Sequence, residues 1–175
     1  RPDINALTLL ARLNSNKGNY EQAIALGERA VALEPSNAWA HATLGFTLNL
    51  AGRPEEAVPI NRQAIRLYPH PPLVFYGAYG TVNFNAGRYD AAIKAFKEGV
   101  KSPDKGLSNH RMHLALIASL MALGREKEAR HEAEQYRKYA EYSFEKVVAG
   151  WRRFGYKDPA VPERMIELIR KAGFE

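Results

Sequence analysis

Small and apolar residues recur along the chain at helical spacing, and the recurrence itself repeats. Ala57, Ile60, Ala64, Ile65 and Leu67 form one apolar stripe. Gly18 is followed by Ala23, Ala30 and Pro35, and Gly52 by Ala57, Ala64 and Pro69. Gly87 is followed by Ala92, Phe96 and Gly99, and Gly124 by Ala129. The glycines lie 34, 35 and 37 residues apart. A small residue stands twelve positions after the first three, and Tyr136 takes that place in the fourth. A glycine suits the left-handed residue that ends a helix. Small residues let two antiparallel helices approach, and a following Pro stops the second. The pattern predicts paired helices at about 4–17 and 20–33, 38–51 and 54–67, 73–86 and 89–102, and 109–123 and 126–141. No strand pattern is present.

This period resembles the tetratricopeptide repeat, a helix–turn–helix unit of 34 residues. Leu44-Gly45 and, loosely, Tyr79-Gly80 match the Leu-Gly of its first helix. The resemblance implies an all-α fold: a right-handed α–α superhelix of about four helix pairs with C-terminal capping helices. The units fall at 4–37, 38–71, 73–106 and 110–143, with capping helices in 144–175. Pro69-His70-Pro71-Pro72 joins units two and three, and Ser102-Pro103-Asp104-Lys105-Gly106 precedes unit four.

The last residues leave the repeat. Ser143 caps a short helix to about Phe154, and Asp158-Pro159 opens a final helix at 159–172. Its apolar face of Val161, Met165, Leu168, Ile169 and Ala172 is expected to cover the end of unit four. The alternative is that it folds into the groove or onto a neighbouring domain. Tyr156-Lys157-Asp158-Pro159-Ala160, Glu163-Arg164 and Ile169-Arg170-Lys171-Ala172-Gly173, with Pro69-His70-Pro71-Pro72 and Gly87-Arg88-Tyr89 upstream, also resemble, over about residues 50–175, the C-terminal repeat region of bacterial class III adenylate cyclases. That resemblance implies a catalytic domain in cis, with this segment regulating it or helping it dimerise. The opening Arg1-Pro2-Asp3 has no initiator Met and no signal-peptide pattern, so the expectation is a piece of a longer, cytoplasmic protein.

Charge and composition change this picture little. The 175 residues carry a net charge of +6 and no cysteine, which excludes a disulfide framework and thiolate metal sites. Residues 88–175 hold a net +5, but bases and acids alternate there, as in Arg125-Glu126-Lys127-Glu128. That argues for a solvated surface over a nucleic-acid stripe. The longest stretch free of charged residues, Leu67 to Gly87, is broken by Pro69, Pro71 and Pro72 and cannot cross a membrane.

Candidate chemistry is sparse. His110 and His113 stand three apart without a third ligand, and His41 falls at a core position. Glu55 and Glu56 open a second helix, where they complement its dipole. No phosphate loop or nucleophile elbow is present. The expectation is therefore no catalytic residue, no cofactor and no metal.

Function then falls to the groove that the resemblance places along the first helices. Its expected lining is Asn5, Thr8 and Arg12, then Trp39, Phe46 and Asn49, then Val74, Thr81, Phe84 and Asn85, then Arg111, Leu114 and Met121. The family's two-carboxylate clamp for chaperone tails is absent, because Thr8, Arg12, Thr43, Val74 and Ala78 stand at its positions. The expected partner is a protein or peptide in the groove. A cis domain or a second copy is an alternative, and nucleic acid a lesser one.

Overall fold

A computed structural model describes residues 3–103, 106–138 and 140–174. It contains ten helices in chain order: α1 (Ile4–Asn16), α2 (Tyr20–Leu33), α3 (Ala38–Leu50), α4 (Pro54–Leu67), α5 (Leu73–Asn85), α6 (Tyr89–Gly99), α7 (Leu107–Ala122), α8 (Glu126–Arg137), α9 (Phe144–Arg152) and α10 (Ala160–Lys171). No strand occurs among the described residues.

Each first helix ends in the same way. Beyond α3, Gly52 adopts φ 79°, its N–H bonds the Asn49 carbonyl at 3.2 Å, and the Arg53 N–H bonds Leu48 at 2.9 Å. This Schellman pair satisfies two carbonyls that the helix end would leave orphaned. The same pair of bonds recurs at Gly18, Gly87 and Gly124. A Cβ there would force an L residue into the left-handed region.

Each pair is held closely. A Cβ at Gly80 would lie 2.4 Å from the Phe96 ring, and one at Gly45 1.9 Å from Asn61 Nδ2. The Leu-Gly positions are therefore sites of helix contact. First helices pack on one another in sequence, α1 on α3, α3 on α5 and α5 on α7. Second helices pack between them, and no pair of second helices makes a comparable contact. The layer of first helices is the inner one, and the array curves as a right-handed superhelix.

Helix ends depart from the sequence reading in the later units. α6 stops at Gly99, not 102, because the next amides turn to three-residue bonds, Lys101 to Glu98 and Ser102 to Gly99. The middle of the expected linker, Asp104 and Lys105, lies outside the described residues. α7 begins at Leu107, two residues early, with the Gly106 carbonyl accepting from Asn109 and His110. α8 ends at Arg137; Tyr139, within its expected span to 141, also lies outside the described residues.

Tyr136 fills the position where the earlier units have a small residue. Its hydroxyl pairs with His110 Nδ1 at 2.9 Å, its ring stacks on His113, and burial pushes its pKa up to about 12. Unit four is thus spaced by an aromatic wedge, and both histidines serve packing. His113 Nδ1 lies 2.7 Å from Glu132. His41 is also buried, with Nε2 2.9 Å from the Pro35 carbonyl.

The largest apolar cluster runs from α5 to the C-terminus. α10 lies against α7, with Ile166 and Ile169 fully buried, and makes no comparable contact with α8. Burying such a side chain contributes roughly 1.5–3 kcal/mol. The cap therefore covers the last first-helix and does not stack as a fifth unit. No helix among the described residues is long and apolar enough to cross a membrane.

Candidate binding groove

The inner layer leaves a cavity of about 460 Å³ between α3, α5, α7 and the segment after α9. Its apolar wall is built from helix positions three and four apart. Trp39, Ala42 and Phe46 come from α3, Val74, Gly77 and Ala78 from α5, and Met112 and Ala115 from α7. Gly77 has no Cβ to fill the space, and one added there would touch the Met112 sulfur at 3.5 Å. Trp39 stands edge-on to Phe75 with centroids 4.8 Å apart, and Tyr68 also meets Phe75 edge-on at 5.7 Å. Trp39 is held in place yet remains 50% exposed, and Val74 beside it 42%.

The remaining wall comes from the tail. Phe154 meets Phe46 edge-on at 5.9 Å, and the Arg111 guanidinium lies 5.3 Å above the Phe154 ring. The Gly155 carbonyl accepts from the Tyr20 hydroxyl at 2.8 Å, and the Lys157 N–H donates to the Leu50 carbonyl at 2.8 Å. Tyr156 bonds to Asn49 and Asn85, which bond each other at 2.8 Å. Burial pushes the Tyr156 phenol up, and its asparagine partners oppose that. A side chain at Gly155 would meet the Asn16 carbonyl at 3.1 Å. The final helix therefore packs on α7 rather than entering the groove, and it is the connection between α9 and α10 that lines the groove.

Charge in the cavity has one sign. Arg12 and Arg111 line it, and no described carboxylate does. Arg111 is pressed against Gly150, where a Cβ would sit 1.8 Å from Nη2. Its Nε is buried without a hydrogen-bond partner, and burial holds its pKa below the ordinary guanidinium range. A cation so placed favours an incoming anion or carbonyl.

Of the expected lining, Arg12, Trp39, Phe46, Asn49, Val74, Thr81 and Arg111 border this cavity. Asn5 and Thr8 do not. They sit near the start of α1, where the Thr8 hydroxyl bonds the Asn5 carbonyl. Asn85 is drawn to Asn49 and Tyr156. Phe84 and Leu114 are corrections, since both are core residues at 1% and 0% exposure. Phe84 packs on Tyr89 beneath the Arg164 guanidinium, and Leu114 is buried in the cluster shared with α9 and α10. Met121 packs against the same cluster. The cap thus occupies the inner face of α7, and of that helix's three expected residues only Arg111 stays in the groove. Trp151, Phe154 and Tyr156 were missed, because a turn-like Gly-Tyr-Lys carries no signal that the chain returns to the groove.

Family models of the tetratricopeptide repeat match residues 16–76 and 80–143. The chain is a tetratricopeptide repeat protein. Solved repeat structures overlay nearly the whole chain. PilF of Pseudomonas aeruginosa matches at TM-score 0.70 and 20% identity, over 98% of this chain and 77% of its own. MamA matches at TM-score 0.68 and 16% identity, over 97% and 89%. YrrB, described as a repeat protein with an unusual peptide-binding site, matches at TM-score 0.65 and 18% identity, over 98% and 87%. At such identities these likenesses speak for the fold alone. A search of curated proteins found no match. Neither family model describes a cyclase, so that link rests on the resemblance of the tail.

Proposed function

We propose that this tetratricopeptide repeat protein is a non-catalytic interaction module that binds an extended peptide in its inner groove. The observation that carries the reading is the acid-free apolar cavity beside Trp39, with Arg111 in its wall. An aliphatic or aromatic side chain of the ligand enters between Trp39, Val74 and Met112. A carboxylate of the same ligand faces Arg111, whose Nε otherwise has no acceptor. Thr81 is less available, because its hydroxyl already bonds the Gly77 carbonyl at 2.8 Å.

A role beside a catalytic domain in cis is compatible with such a groove and rests on the resemblance of the tail to cyclase-linked arrays. Nucleic-acid binding draws less support. Several bases of the second half are tied to acids, including Arg125 to Glu128, Arg130 to Glu126 and Arg152 to Glu163.

The test is a displayed peptide library selected against the chain and re-measured on variants. Trp39→Ala is expected to weaken selected peptides by about tenfold or more, as hot-spot aromatics do. Helicity should persist, because Trp39 is half exposed. Arg111→Gln should weaken peptides that carry a carboxylate more than their amide counterparts. Peptides bound equally by all three proteins would remove the groove from the account.

A further inference from the structure

One wall of the groove is a single repeat position read across three units. Thirteen residues before the turn glycines Gly52, Gly87 and Gly124 stand Trp39, Val74 and Arg111. All three line the same cavity, on helices that pack in succession, α3 on α5 and α5 on α7. Three and four residues further along each helix the lining is small, with Ala42 and Gly77, then Ala78 and Ala115. Seven residues on, Phe46 and Thr81 make the opposite wall, and Phe154 of the tail packs edge-on against Phe46. The groove is thus a trough with a small-residue floor, running across the first helices.

The dimensions of the trough select the conformation of its ligand. Seven residues of helix span about 10 Å, and the side chains of the walls narrow that further. An α-helix with its side chains is about 10–12 Å across, too wide to lie between them. Along the trough, neighbouring first helices repeat at about 8–10 Å. A β-strand sets like-facing side chains two residues and about 6.6 Å apart, or four residues and about 13 Å apart, and misses that interval. A polyproline II helix has three residues per turn and rises about 3.1 Å per residue, so its like-facing side chains recur about every 9 Å. Its backbone is fully solvated. That suits walls whose polar groups are already engaged. Asn49 and Asn85 bond each other and Tyr156, and the Thr81 hydroxyl bonds the Gly77 carbonyl. Trp39, half exposed and edge-on to Phe75, offers the flat aromatic surface that proline-rich segments dock on.

With the groove taken as the ligand site, a reading on which this one rests, the geometry points to a proline-rich segment in the polyproline II conformation as the ligand. It carries an acidic residue three positions from one apolar residue and six from a second. The acid faces Arg111, whose Nε is buried without a hydrogen-bond partner in a cavity that no described carboxylate lines. The nearer apolar residue lies over Gly77 between Val74 and Met112, and the farther one packs on Trp39. The spacing of three is the same for a ligand chain run in either direction.

Fluorescence anisotropy of labelled peptides with blocked ends, titrated with the full chain, tests this. Glu-Pro-Pro-Leu-Pro-Pro-Leu and its reverse, Leu-Pro-Pro-Leu-Pro-Pro-Glu, carry the spacing of three. Versions with one or three prolines between the marked residues carry spacings of two and four. One direction of the spacing-of-three pair should bind about tenfold or more tighter than either alternative, because it alone seats all three side chains. Gln in place of Glu should weaken that peptide about tenfold on the wild-type chain and less than about twofold on Arg111→Gln. Glycines in place of the prolines keep the spacing but lose the preset backbone, and should weaken binding about tenfold. Equal affinities across the three spacings overturn the proposal, as do equal affinities for the proline and glycine peptides, or for Glu and Gln on the wild-type chain. A library-selected peptide that needs Trp39 but lacks this spacing, while neither spacing-of-three peptide binds, overturns it and leaves the groove as the ligand site. Selected peptides that ignore Trp39 overturn both.

Discussion

At the C-terminal end of the array, α7 is covered on its inner face by α9 and α10, and Leu114, Ile117 and Ala118 have no exposed surface. Among the described residues, α1 packs on α2 and α3, and Leu9, Leu10 and Leu13 stand about half exposed. Both helices carry the same repeat pattern. The difference lies in the elements beside them, since a repeat buries its stripe only against a neighbour. The C-terminal neighbour is not another repeat. It is a pair of helices laid over the inner face, and its connecting segment shortens the groove and supplies part of the wall.

The largest expected effect compares one kind of substitution at the two ends. Ile166→Ala, at 0% exposure, should cost about 2–5 kcal/mol of stability in urea unfolding. Leu10→Ala should change stability by no more than about 0.5 kcal/mol, as for an ordinary surface site. Comparable losses at both sites would erase the distinction between a covered and an exposed helix face.

A middle-sized effect tests whether the tail is seated in the groove. Tyr156→Phe leaves Asn49 and Asn85 without the phenol and should cost about 1–2 kcal/mol. Proton exchange should speed up at the Lys157 amide, which bonds Leu50 across the groove. An unchanged exchange rate there would mean that the segment is held by α9 and α10 alone.

The smallest effect concerns the cap itself. Glu163 takes both Arg152 contacts, at 2.7 and 3.0 Å, and these hold its carboxyl below the ordinary range. A depressed folded pKa contributes stability above the unfolded pKa, near 4.3 for Glu, and loses it as pH falls through the folded value. Both groups are largely exposed, so solvent screens the pair. Glu163→Gln should therefore lower the urea midpoint slightly at pH 7, and the difference should shrink as pH falls below the unfolded pKa and through the folded one. A difference that persists at low pH would place the effect in packing.

Much of this architecture was legible in the residues. The glycine period located four turns, and α2 and α4 have the expected bounds. The core positions Ala57 and Ala64 followed from helical spacing, and His41 from the repeat resemblance. The groove was legible where its lining depends on the repeat alone, as at Trp39, Phe46 and Val74. It failed where a distant segment intervened. Phe84 and Leu114 were placed by register, and the register is right, but α9, α10 and Arg164 cover those positions. Periodicity reports which face of a helix is apolar. It does not report which of two apolar layers will cover that face.

Binding in the groove is the central claim, and peptide titration against Trp39→Ala measures it most directly. The account predicts that a peptide selected on the wild-type chain loses about tenfold or more in affinity while the variant keeps its helicity and melting temperature. The same affinity for both proteins would contradict the claim and move the ligand site away from the inner face of α3 and α5.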